Sequence, residues 1–126
     1  MKKISQLLIF SFIITFSYAQ VLEELSFYPI NGTMALEIDG QTLYLGSGDL
    51  VDISDPIHPI LKSQVSIMGG VSSLKIEGDY AYYGGEMSNN LTIADISDSE
   101  FPLIISTFQF SNGHCVFGMS IKDEDL

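Results

Sequence analysis

Residues 52–59 read Asp-Ile-Ser-Asp-Pro-Ile-His-Pro, and residues 95–102 read Asp-Ile-Ser-Asp-Ser-Glu-Phe-Pro. Five of the eight positions are identical, each at an offset of 43 residues. A tandem unit of that length is one piece of supersecondary structure, which buries its faces against its neighbours. The repeat therefore restricts the architecture sharply, while carrying no chemistry of its own. Upstream, Leu36-x-Ile38-x-Gly40 aligns with Leu74-x-Ile76-x-Gly78, and Leu43-Tyr44-Leu45-Gly46 with Ala81-Tyr82-Tyr83-Gly84, both at an offset of 38. The two offsets differ by five because the second copy carries an insertion between Gly84 and Asp95, where residues 85–90 replace the short Ser47-Gly48 turn, and a loop absorbs such an insertion cheaply. Met119-x-Ile121-x-Asp123 is a third, degraded copy.

Between these markers lie short runs of β-branched and aromatic residues, cut by Gly, Asn, Asp or Pro, with no sustained helical spacing; the fold class is all-β. After Pro59 and Pro102 come apparent strands at 60–67 and 103–110, closed by Gly69-Gly70 and Asn112-Gly113, and residues 21–28 before Asn31-Gly32 fill the same slot. Four strands in about forty residues make a propeller blade. The expectation is tandem four-stranded antiparallel repeats, about 32–69 and 70–112, with a third beginning about 113: two blades and a fraction of an incomplete ring. Alternation should bury Leu36, Ile38, Leu74 and Ile76 and leave Glu37, Asp39, Lys75 and Glu77 more exposed. Asp55 and Pro56 suit a turn, whereas Ser99 stands in place of Pro56, so the second turn should be the looser.

Residues 1–19 have the layout of a secretory signal peptide: Lys2 and Lys3, an apolar run of ten at 7–16, then Ser17-Tyr18-Ala19 before Gln20. Ten apolar residues fall short of a bilayer core of roughly 30 Å, so no membrane span is expected. The repeat segment would then be residues 20–126 of a secreted or cell-surface protein. With no arginine, five lysines and sixteen carboxylates, the net charge of −11 repels phosphate backbones and excludes nucleic acid as a partner. The hydrophobic content of 46% excludes disorder. The single Cys115 forms no internal disulfide and lies far from a lipidation position.

The segment Leu91-Thr92-Ile93-Ala94-Asp95-Ile96-Ser97-Asp98, with the Ser54-Asp55-Pro56 to Pro59 continuation in the first copy, resembles the LVIVD repeat. The resemblance covers residues 35–110. It implies exported or surface-associated propellers, mostly of bacteria and archaea, without a shared activity. A propeller ring has typically 4–8 blades. The expectation is that this chain is a piece of a longer protein or that several chains assemble, the partners being further blades of the same chain or a second copy.

Each motif that carries chemistry has a structural alternative. Asp49, Asp52, Asp55, Asp95 and Asp98 supply the oxygens calcium prefers, but lack the alternating carboxylates and mid-loop glycine of a calcium loop. Turn capping is the reading, with Asp52, Asp55, Asp95 and Asp98 retained as metal candidates and no cofactor assigned. His58 and His114 fall in different repeat slots without a Cys or acidic partner at ligand spacing; His58 should be exposed, and His114 should cap its turn. Cys115, Phe117, Met119 and Ile121 alternate, which would place Cys115 on the core face of a strand. Ser72-x-x-Lys75 has a nucleophile spacing that requires a helix start, and it lies in a strand instead. The ending Lys122-Asp123-Glu124-Asp125-Leu126 has one Asp too many for a retention tail. Tyr44 and Tyr82 occupy equivalent positions, where packing between blades outweighs ligand stacking. Asn31 and Asn90 begin glycosylation sequons, relevant only in a eukaryote.

No catalytic, cofactor-binding or partner-binding residue is assigned. The expected function is an exported, non-enzymatic interaction or scaffold module binding a protein or glycan, with loops such as 86–90 presented to it. The alternative is part of a secreted propeller hydrolase or lyase whose site lies in further blades.

Overall fold

The computed structural model describes residue 29 and residues 34–86, 89–111 and 113–122. Eight strands form two antiparallel sheets, each in sequential order. The first holds β1 (Leu36–Asp39), β2 (Thr42–Leu45), β3 (Asp49–Asp52) and β4 (Ile60–Gln64). The second holds β5 (Val71–Glu77), β6 (Tyr80–Gly85), β7 (Asn90–Asp95) and β8 (Leu103–Gln109). These are the all-β four-stranded repeats that the sequence predicts, with no helix among the described residues.

The repeated residues do repeated work. Gly40 (φ +57°) and Gly78 (φ +54°) open the β1–β2 and β5–β6 hairpins, each at the first central position, where a positive φ matches the twist of the flanking strands. The backbone N–H of Ile53 donates to the Gln41 carbonyl at 2.9 Å, and that of Ile96 to the Asp79 carbonyl at 2.8 Å, so each Asp-Ile-Ser-Asp turn is tied to its neighbouring hairpin. Gly48 (φ +93°) and Asn89 (φ +49°) occupy matching places before β3 and β7, and asparagine is the residue that best tolerates this region after glycine. A feature the sequence did not reveal also recurs. The ladder slips between Leu50 and Val51 and again between Ile93 and Ala94, leaving Lys62 and Ile105 as the extra residues of matching β-bulges.

The core lies between the sheets. Tyr44, Leu50 and Val65 from the first meet Val71, Leu74, Ala81, Tyr83 and Ala94 from the second, with Ile96 completing the cluster. Tyr44 thus packs between the repeats, as its position predicts, whereas Tyr82 is half-buried on the far side of the second sheet.

Two burial expectations fail. Leu36 and Ile38 are each 59% exposed while Glu37 is half-buried, the reverse of the predicted alternation. Glu37 lies on the same side as Tyr44, toward the second sheet, and no sheet of the described residues covers the other side of β1. Leu74 and Ile76 occupy the same repeat positions but do pack against the core, because the first sheet lies over them. The second failure is the tail. Residues 114–122 form no strand; Cys115, Phe117 and Ile121 are exposed, since no described strand pairs with the segment and no sheet covers its apolar side. Residues 1–28, Asn31, Asn112 and residues 123–126 lie outside the described residues, and with them the signal peptide, the first sequon and the strand expected at 21–28.

Candidate functional site

The candidate carboxylates sit in the two β3–β4 and β7–β8 turns, and each accepts hydrogen bonds from its own turn. Asp52 Oδ1 accepts the N–H of Ser54 at 2.8 Å, and Asp95 Oδ1 accepts that of Ser97 at 2.9 Å. Asp55 and Asp98 do the same one step later, accepting from Ile57 and Glu100 at 3.0 Å each. The turns close with His58 N–H donating to the Asp55 carbonyl at 3.1 Å and Phe101 N–H to the Asp98 carbonyl at 3.0 Å. These are Asx turns followed by β-turns, the geometry that Asp provides at such positions. Bonds to the ionised form lower a carboxyl pKa. Backbone and hydroxyl donation by Ser54 hold Asp52 below its ordinary value, the Ser97 hydroxyl and N–H do so for Asp95, and the His58 ring followed by the Ile57 N–H do so for Asp55.

The second turn is not the looser one. Its closing bond and its Asx bond match those of the first, and strand β4 braces it from the other sheet: the Ser63 hydroxyl donates to the Ser99 carbonyl at 2.6 Å, and Lys62 Nζ donates to the Ser99 hydroxyl. Contact between the repeats replaces what proline supplies in the first copy. Lys62 is the bulged residue, so the bulge aims the ammonium across the joint.

His58 is exposed as expected, yet it has an acidic neighbour that the spacing argument missed, since Nδ1 stands 2.9 Å from Asp55 Oδ2. His114 is exposed on the tail. Asp49 accepts from Gln64 Nε2 at 2.7 Å across the β3–β4 ladder. Among the described residues no three of His, Cys, Asp and Glu come together as a metal-binding group. The Cys115 thiol lies 4.0 Å from Asn89 Oδ1 and 3.9 Å from the Gly113 carbonyl. Asn90 is buried at the start of β7.

Ser72 and Lys75, the pair with nucleophile spacing, diverge along β5. The Ser72 hydroxyl donates to the Val116 carbonyl at 2.7 Å, holding the tail, while Lys75 Nζ reaches Glu37 at 3.0 and 3.2 Å on the edge strand β1 of the other sheet. Sequence reasoning missed Tyr83, a fully buried ring between the sheets whose hydroxyl meets no partner among the described residues. Burial, and then the nearby Tyr44, push its phenol pKa up; burial, and then Asp39, do the same for Tyr44. Burial of this kind favours the neutral phenol.

Among the described residues no helix is long and apolar enough to cross a membrane. The family model of the LVIVD repeat matches residues 33–66 and again residues 68–108, one match for each sheet. Neither a curated protein nor a solved structure gives a significant match.

Proposed function

Because the chain belongs to the LVIVD-repeat family and folds as a β-propeller-like repeat module, we propose that it acts as an exported, non-enzymatic interaction module for an extracellular protein or glycan. One observation carries this reading. The side chains best suited to chemistry are spent on architecture: Asp52, Asp55, Asp95 and Asp98 hold turns, Lys62 and Ser63 brace a turn across the joint, Ser72 fastens the tail and Lys75 links β5 to β1. The freedom left for recognition is in the loops, above all the insertion before β7, where the second repeat exceeds the first. Support for the export part of this reading is the leader-like layout of residues 1–19.

A loop exchange tests the proposal. Residues 85–89 are replaced by the short Ser47-Gly48 turn of the first repeat, and both chains are applied to a glycan array and to immobilised extracellular proteins. Saturable binding that disappears with the exchange supports the reading. Binding that survives the exchange removes the loop from it, and turnover of a bound glycan overturns the non-enzymatic assignment. Expression with residues 1–25 fused to a periplasmic reporter tests export separately, with cleavage expected after Ala19.

A further inference from the structure

Four strands stand at the edges of the two sheets: β1 and β5, which touch through Glu37 and Lys75, and β4 and β8 at the opposite edges. An open edge offers a row of N–H and C=O groups to any strand that comes beside it, and charged side chains are a common protection. β1 carries Glu37 and Asp39, β5 carries Lys75 and Glu77, and β4 carries Lys62. β8 reads Leu-Ile-Ile-Ser-Thr-Phe-Gln, without a charge, and all seven of its residues are exposed. The repeat sharpens the contrast. Lys62 and Ile105 are equivalent, each the extra residue of its bulge, so the second repeat places a 51% exposed isoleucine where the first has an ammonium group. β4 presents the same outer edge in mid-chain, so the edge belongs to the repeat and not to a terminus.

Beyond the bulge, Ser106 to Gln109 pair with Ile93 to Asn90 without a slip. The Phe110 N–H donates to the Asn89 carbonyl at 2.7 Å, and the alternation of an antiparallel ladder then turns the peptide groups of Phe108 and Ser106 toward β7 and those of Thr107 outward. We propose that β8 is a self-pairing edge: the β8 of a second copy adds beside it, antiparallel, and the two second sheets become one continuous sheet. Composition selects the second copy. Residues 103–108 combine β-branched, aliphatic and aromatic side chains with no Pro, Gly or charge, the composition of segments that pair with themselves. The chain as a whole carries a net charge of −11, so its copies repel one another over most of their surface and meet best along an uncharged strand. Charge also sets the direction. Antiparallel pairing carries Asp98 and Glu100 of the two copies to opposite ends of the joint, whereas parallel pairing would bring them together. A two-fold contact of this kind closes at two copies. It uses an edge and not a face, leaves the tail in place at Val116, and depends neither on packing between repeats nor on export or any glycan.

Light scattering of the purified chain over a concentration series tests it, in a Cys115→Ser background that excludes disulfides. The mass should rise from one copy and level at two. Ile105→Lys restores the residue of the first repeat, and Thr107→Pro removes an outward N–H while sparing the ladder to β7. Each should weaken association roughly tenfold or more in Kd, as a central interface position does. Leu61→Lys, on β4 and 50% exposed, should change nothing. Circular dichroism checks that every variant retains its sheets. Spin labels on Ser106→Cys should lie close together in the pair, and those on Asp98→Cys far apart. A chain that stays monomeric to its solubility limit overturns the proposal, as does association that neither Ile105→Lys nor Thr107→Pro weakens. Growth beyond two copies, an equal loss in Leu61→Lys, or close labels at residue 98 overturns it as well.

Discussion

The side chain of Val116 lies over the α-carbon of Gly84: a Cβ built at residue 84 would stand 2.6 Å from Val116 Cγ1 and 2.8 Å from its Cβ. The Ser72 hydroxyl holds the Val116 carbonyl at the same place, and the Val116 N–H reaches the Gly85 carbonyl at 3.3 Å. The tail therefore begins its course on the open side of the second sheet through one glycine that leaves room for it. Gly84→Ala should dislodge the tail and leave β5 to β8 paired. Limited proteolysis should then cut residues 114–122 several times faster with the dichroism spectrum unchanged, and an unchanged cleavage rate would remove the role given to Gly84.

The brace across the joint predicts an asymmetry between two serines. Ser63→Ala deletes a part-buried donor and leaves the Ser99 carbonyl without it, so it should cost about 1 kcal/mol, the usual net worth of such a bond. Ser99→Ala removes only the exposed contact with Lys62, because the carbonyl remains, and should stay within about 0.5 kcal/mol. Urea unfolding of the two variants decides it. Equal losses would mean that the carbonyl bond does not secure the turn.

Tyr83 fills the centre of the joint with an unpartnered hydroxyl. Burying such a group costs roughly 1–3 kcal/mol, so Tyr83→Phe should leave thermal stability unchanged or raise it, whereas Tyr83→Ala should lose about 3–5 kcal/mol by opening a cavity. The raised phenol pKa gives a second readout. Above the ordinary value of 10.0 the unfolded chain ionises this group before the folded chain does. Stability is thus fully present below pH 10 and falls as pH rises above it, a fall that Tyr83→Phe should make shallower. A marked loss of stability in Tyr83→Phe at neutral pH would show that the hydroxyl is satisfied.

Asp52 and Asp95 shift the other way. Their folded pKa values lie below the ordinary 3.8, so their contribution is present above that value and lost as pH falls through the folded value. Both residues are only half-buried at the ends of their strands, which leaves their carboxyls screened by solvent and keeps the effect small. Melting temperatures measured between pH 5 and pH 2 should decline less steeply in the Asp52→Asn, Asp95→Asn double variant. Parallel curves would assign acid sensitivity to other carboxylates.

Most of the strand plan is legible in the sequence. Recurrence of Asp-Ile-Ser-Asp, the paired Ile-x-Gly strands and the two offsets placed all eight strands in order, because turn residues act locally and each copy corroborates the other. The site was less legible. The turn roles of Asp52 and Asp95 followed from residue type, but the Ser63 brace on Ser99 joins residues 36 apart, and the Lys75 link to Glu37 joins residues 38 apart. Neither the bulge at Lys62 nor the buried Tyr83 carries a signal in spacing, since the same letters suit an exposed strand equally well.

By itself, then, the sequence determined the period, the hairpins and the acidic turns, all of which depend on backbone preferences within a few residues. Tertiary structure alone decided which of two equivalent residues is buried. Leu74 and Leu36 share a position and a side chain, yet one is 5% exposed and the other 59%. Alternation along a strand separates its two sides but cannot say which side another sheet will cover. Burial depends on that neighbour, and here a neighbour lies over β5 and none of the described residues forms one over the outer side of β1.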